Sequence, residues 1–190
     1  MLTPLQLKSN YLSLLADAKS ITGVNPFTMD HYVYKNLTEK DSLTTEQWDN
    51  LVEVASIIEA NANRLSMRGW HTENECGTAH CIAGWAESLA RNDTNFNFTN
   101  FDNDTLNIAE DMLSVYARPF FWVTADNLAN FRNSYSYITF SGLAEELVMK
   151  WFIKPILEEA RRESYELSTK ISQFIQKAKE ETQVKELITF

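Results

Sequence analysis

The chain has 190 residues, 44% of them hydrophobic, and a formal net charge of −9. Five glycines and four prolines are too few for the many turns of an all-β sandwich, and no apolar run reaches the roughly 18 residues of a membrane-crossing helix. An acidic chain repels phosphate backbones, so direct binding to DNA or RNA is disfavoured.

The first residues, MLTPLQLKSNYLSLL, lack the basic start and small-residue cleavage site of a secretory signal. A cytoplasmic protein with no membrane segment is therefore expected. Residues 1–140 hold 9 of the 17 Lys and Arg and 17 of the 26 Asp and Glu, a net of −8; residues 141–190 hold the rest, a net of −1.

Thr3, Pro4 and Gln6 predict a helix start with a capping box. Leu5, Leu12, Leu15 and Ala16 form its apolar face, and Gly23 ends it. Residues 24–43 have no steady period and read as a loop with a short apolar piece at Tyr32–Tyr34. Thr44 and Gln47 form a second capping box. Trp48, Leu51, Val52, Ala55, Ile58, Ala62 and Leu65 follow at helical spacing. Cys81 to Arg91 reads as a helix, capped from its N-terminal side by Thr78. Residues 92–104 read as an Asx-rich loop. A helix from Thr105 to Ala117 is expected next, stopped by Pro119. Phe120, Phe121 and Trp122 form an aromatic knot, Thr124 or Asp126 caps a short helix through Phe131, and residues 133–140 form a short strand or loop. Ser141 opens a final helical region that Pro155 must kink or split. Beyond it Ala160, Ser164, Leu167, Ile171, Phe174 and Ala178 make a short heptad seam, which packs on its own domain or on another chain.

The chemistry-bearing residues gather at 70–85: Trp70-His71, Cys76-Gly77-Thr78, His80-Cys81 and Ala83-Gly84-Trp85. His71, Cys76, His80 and Cys81 are a ligand set suited to tetrahedral zinc, but His80 and Cys81 are adjacent, so their side chains diverge. Cys81 at a helix N-terminus could serve as a thiol nucleophile with His71 or His80 as base. The plainer reading is a loop-to-helix junction buried against the core, its cysteines acting as small hydrophobes. Residues 93–104 mimic the spacing of a calcium loop, yet Phe98 stands where glycine is needed and Asp104 where a bidentate Glu is needed. The Glu pairs at 145–146, 158–159 and 180–181 read as solvated helix faces.

The run from Cys76 to Ala86, CGTAHCIAGWA, preceded by Trp70-His71, resembles the CGTxHCxAGWA signature of small uncharacterised proteins from bacteria and their phages. The resemblance spans about residues 65–132 and implies a shared fold and a bacterial or phage context. It implies no reaction, and it leaves residues 141–190 as an addition.

The expectation is an all-α protein: a compact multi-helix domain over 1–140 containing the Cys/His motif, and a long kinked helical arm over 141–190. Its expected function is that of a non-enzymatic acidic interaction module, for instance an inhibitor docking on a basic host or defence-complex surface. Asp93, Asp102, Asp104, Glu110 and Asp111 would form the binding surface, no cofactor would be held, and residues 156–190 would pack on the domain or form a homodimer. The alternative is a zinc-binding or thiol-dependent protein using His71, Cys76, His80 and Cys81.

Overall fold

The computed structural model describes residues 1–28, 30–68, 71–74, 77–93, 104–129 and 142–188; for 30–31, 71–74, 77, 126, 129 and 178–188 it describes the backbone alone. The expected strand or loop at 133–140, the centre of the Asx-rich loop at 94–103 and the cap at Ser141 lie outside these residues. The chain is all-α apart from one short β ribbon. It divides into two units, one of Leu2–Leu157 and one of Met1 with Glu158–Phe190.

Helix α1 (Pro4–Thr22) starts at the Thr3 capping box and ends at Gly23, whose φ of +74° suits glycine. Its buried face corrects the expectation. Leu7, Tyr11, Leu14 and Ala18 point inward, whereas Leu5 and Leu12 are 38% and 44% exposed. The helix carries leucines on two stripes, and tertiary partners select the one with Tyr11. The Tyr11 ring lies 6.2 Å from that of Tyr34 and 5.4 Å from that of Phe120, which in turn sits 4.4 Å from Phe152. This aromatic chain, each pair adding about 0.5–1.5 kcal/mol to plain burial, runs through the core.

One turn of helix, α2 (Asp30–Val33), interrupts the loop that follows. Helix α3 (Thr45–Ala60) has the Thr44–Gln47 capping box and buries Trp48, Leu51, Val54, Ala55 and Ile58. It ends earlier than its apolar spacing predicts: Asn61 leaves the helix and a 3₁₀ turn, Ala62–Arg64, carries the chain on. Strands β1 (His71–Asn74) and β2 (Gly77–His80) then pair antiparallel, with His71 opposite His80. This ribbon replaces the expected loop, and it places Thr78 in a strand rather than at a helix cap. Helix α4 (Ile82–Ala90) has Cys81 itself as its N-cap, with no side-chain capping bond.

Helix α5 (Thr105–Leu113) is shorter than expected. Ser114 stops it, not Pro119: its φ of +82° breaks the helix, its hydroxyl accepts from the Tyr116 amide at 3.3 Å, and a 3₁₀ turn (Val115–Ala117) follows. Pro119 lies in the first turn of α6 (Arg118–Phe121), where its missing N–H costs nothing. Thr124 accepts from the Asn127 amide at 3.1 Å and so caps α7 (Ala125–Ala129).

Helix α8 (Leu143–Val148) opens at Gly142, runs into a π turn (Met149–Ile153), and continues as α9 (Lys154–Ile188). The wide turn is the device that accommodates Pro155, because it relaxes the clash between the proline ring and the preceding carbonyls. Phe152, Ile153, Ile156 and Leu157 are buried. The seam beyond them is not: Leu167 and Phe174 are 60% and 74% exposed, so it does not pack as expected on its own chain. Within this second unit the Met1 ammonium pairs with Glu159 at 2.9 Å and with Glu163.

Candidate functional site

The Cys/His stretch is held from both sides. Before it, the Ser66 amide donates to the His80 carbonyl at 3.0 Å, and Leu65 bridges to His80 as a short parallel pairing. Arg64 donates through Nε to the Thr78 carbonyl at 2.9 Å. After it, α4 carries Trp85 back onto the ribbon. The Trp85 ring lies 4.9 Å from the His80 ring, and the Arg64 guanidinium sits over it at 5.6 Å. His80, Cys81 and Trp85 are all buried. The Met67 amide donates to Glu145 at 2.8 Å, so Glu145 anchors this region and is not the solvated residue expected.

Cys81 is a free, buried thiol at the mouth of α4. Burial pushes its pKa up to about 11; the amides of Gly84 and Ala83 pull the other way without reversing the rise, and the charge of Glu87 adds to it. At neutral pH only about one thiol in ten thousand is ionised, far from the activated thiolate a nucleophile needs. His80 lies against Trp85. The side chains of His71 and Cys76 fall outside the described residues, and among the described residues no three His, Cys, Asp or Glu groups come together as metal ligands.

A second polar centre, not anticipated from sequence, lies between α4 and α5. Glu87 is fully buried. One of its oxygens takes two bonds from Arg91, at 2.9 and 2.8 Å, and the other accepts from the Thr105 hydroxyl at 2.6 Å. A buried carboxylate persists only when it is paired and hydrogen-bonded in this way. Arg91 at i+4 from Glu87 was the available signal. The Ser88 hydroxyl on the same helix is buried with no hydrogen-bond partner.

Of the expected acidic surface, Asp104 and Asp111 are exposed and stand two turns apart along α5, on one side. Glu110 faces Arg118 at 3.1 Å and is partly spent on that pair. Asp93 is half-buried, and Asp102 lies outside the described residues. Helix α3, tied to α5 by the Asn50 amide on the Met112 carbonyl at 3.2 Å, adds an acidic row that sequence reading overlooked. Glu46, Asp49 and Glu53 are all exposed at i, i+3 and i+7. Neither α3 nor α5 contains a Lys or Arg.

Comparison with known proteins returned no matching family model, no matching curated protein and no matching solved structure. Among the described residues no helix is long and apolar enough to cross a membrane.

Proposed function

We propose that the protein is a non-enzymatic, acidic interaction module of the cytoplasm, docking through α3 and α5 on a basic surface of another protein. The observation that carries this reading is the exposed acid on two neighbouring helices that contain no cation of their own. Such a surface raises the encounter rate with a basic partner and makes binding fall with salt. The resemblance of residues 76–86 to a bacterial and phage signature supports a role such as inhibition of a host or defence complex. The buried thiol with its raised pKa argues against cysteine chemistry at Cys81.

The test is to reverse Glu46, Asp49, Glu53, Asp104 and Asp111 to lysine, then measure retention of a purified basic partner across a salt series. Binding should be lost on reversal, and wild-type affinity should drop steeply with salt. A partner held equally by both proteins and at all salt concentrations would sink the proposal.

One observation favours zinc as a second reading. The ribbon register sets His71 across from His80, close in sequence to Cys76 and Cys81. Elemental analysis decides it: one equivalent of zinc, with unfolding on chelation, would make this a structural metal site.

A further inference from the structure

We propose that α9 pairs antiparallel with α9 of a second copy of this chain, about a twofold axis near Thr169. This stands on a different surface from the acidic docking face and does not depend on it.

From Arg161 to Lys177 every residue but the half-buried Glu163 is exposed, on all sides of the helix. A solvated helix of this length is marginal without a partner, because helices in proteins take most of their stability from packing an apolar face. The face is present. Leu167, Ile171, Phe174 and Ile175 fall within a stripe about 100° wide, and all are substantially exposed.

The sequence of that stripe says what covers it. Positions 160, 164, 167, 171, 174 and 178 are symmetric about 169. Reversing the helix superposes 160 on 178, Ser164 on Phe174 and Leu167 on Ile171. Each layer then fills: a small residue meets a large one, Leu meets Ile, and alanine positions close the ends. A parallel pair would stack Phe174 on Phe174 and leave a Ser164–Ser164 layer underfilled. A seam that reads the same in both directions is what a second copy requires and what an unrelated helix would not.

Charge selects the same orientation. Glu163 and Lys177 flank one edge of the stripe, and antiparallel pairing brings each against the other copy's opposite charge, twice per dimer. Glu163 also holds the Met1 ammonium, which leaves its second oxygen for this contact. In a parallel pair Glu163 would face Ser168, and Lys170 would face Ile175. Lys170 lies beside its own mate at the axis, a like-charge contact that two long exposed side chains relieve by turning into solvent.

The experiment is sedimentation equilibrium on the full chain, with variants confined to exposed positions and checked by circular dichroism. A concentration-dependent dimer is expected. Ile171→Glu should weaken it roughly tenfold or more by placing charge in the seam. Glu163→Lys and Lys177→Glu should each weaken it several-fold, and the two combined should restore it. Glu163→Cys with Lys177→Cys should cross-link between copies, whereas Ser164→Cys alone should not. A monomer up to roughly 100 μM, where even weak dimers form, overturns the proposal. So does a dimer indifferent to Ile171→Glu, or rapid cross-linking of Ser164→Cys alone, which would mean parallel pairing.

Discussion

The Thr105 hydroxyl donates to Glu87 at 2.6 Å, and this short bond joins α5 to a carboxylate with no exposed surface on α4. Arg91, one turn further along α4, grips the other oxygen and reaches solvent at 34% exposure. The two helices are therefore docked by a paired charge as well as by apolar contact.

Removing either side of that arrangement has unequal effects. Arg91→Ala leaves Glu87 buried without its countercharge and should cost about 3–5 kcal/mol. Thr105→Val removes one hydrogen bond to a charged group and should cost about 1.5–3 kcal/mol. Glu87→Gln, which removes the charge and lets Arg91 turn to water, should cost less than Arg91→Ala. Urea unfolding gives the order, and equal losses in all three variants would contradict it.

Cys81 should resist a thiol reagent in the native protein and react at the unfolding rate. Its thiol is buried, with its pKa pushed up to about 11. Rapid modification of Cys81, located by mass spectrometry, would contradict the burial. Cys81→Ser should cost on the order of 1–3 kcal/mol, the usual range for placing a hydroxyl in a core position.

Acid should destabilise the fold through three carboxylates. The Arg162 guanidinium, with the Met1 ammonium behind it, holds Glu159 down to about 2. Hydrogen bonds from Lys150 and Trp151 lower Asp17, and the Thr38 amide and hydroxyl with the Tyr116 hydroxyl lower Asp41. A depressed folded-state pKa means that the unfolded chain binds the proton first. The stabilisation is thus complete above the ordinary carboxylate range and is lost as pH falls through it, for Glu159 between 4.5 and about 2. Melting temperature followed from pH 6 to pH 2 should fall across this window, and less steeply in Glu159→Gln. A curve that Glu159→Gln leaves unchanged would refute this assignment.

Ser114 holds φ +82° and ψ 147°, a region costly to any residue with a Cβ. Ser114→Gly should relieve that strain while losing the bond to the Tyr116 amide, for a net change within about 1 kcal/mol of zero. Ser114→Ala keeps the strain and loses the bond, and should cost about 1 kcal/mol. Thermal melts of the two variants separate them, and an alanine variant as stable as the glycine one would deny the strain.

How much of this was legible depended on whether the cause was local. Both capping boxes and the Gly23 stop are readable because each is decided within four residues. The inward face of α1 was not, since Leu5 and Leu7 are equally apolar and the aromatic partners of Tyr11 come from distant segments. The ribbon at 71–80 consists of four-residue strands of mostly polar residues; bonds from Arg64 and Ser66 support it, and neither shows in periodicity. Ser114 gives no local warning of a helix end, whereas Pro119 gave a misleading one. At the candidate site, burial of Cys81 was foreseeable from the apolar run behind it. Glu87 looked like any surface glutamate.

The Ser66–His80 bond closes a loop of few residues, and short closures carry little entropic cost. Helix α3, the ribbon and α4 follow one another directly in the chain, so this region can gain its contacts without waiting for segments far along the sequence. It is the natural place for folding to begin. In hydrogen exchange, the amides of Ser66 and Trp85 should open together as one cooperative unit. A nascent chain that has emerged only as far as α5 would already hold the information to form it.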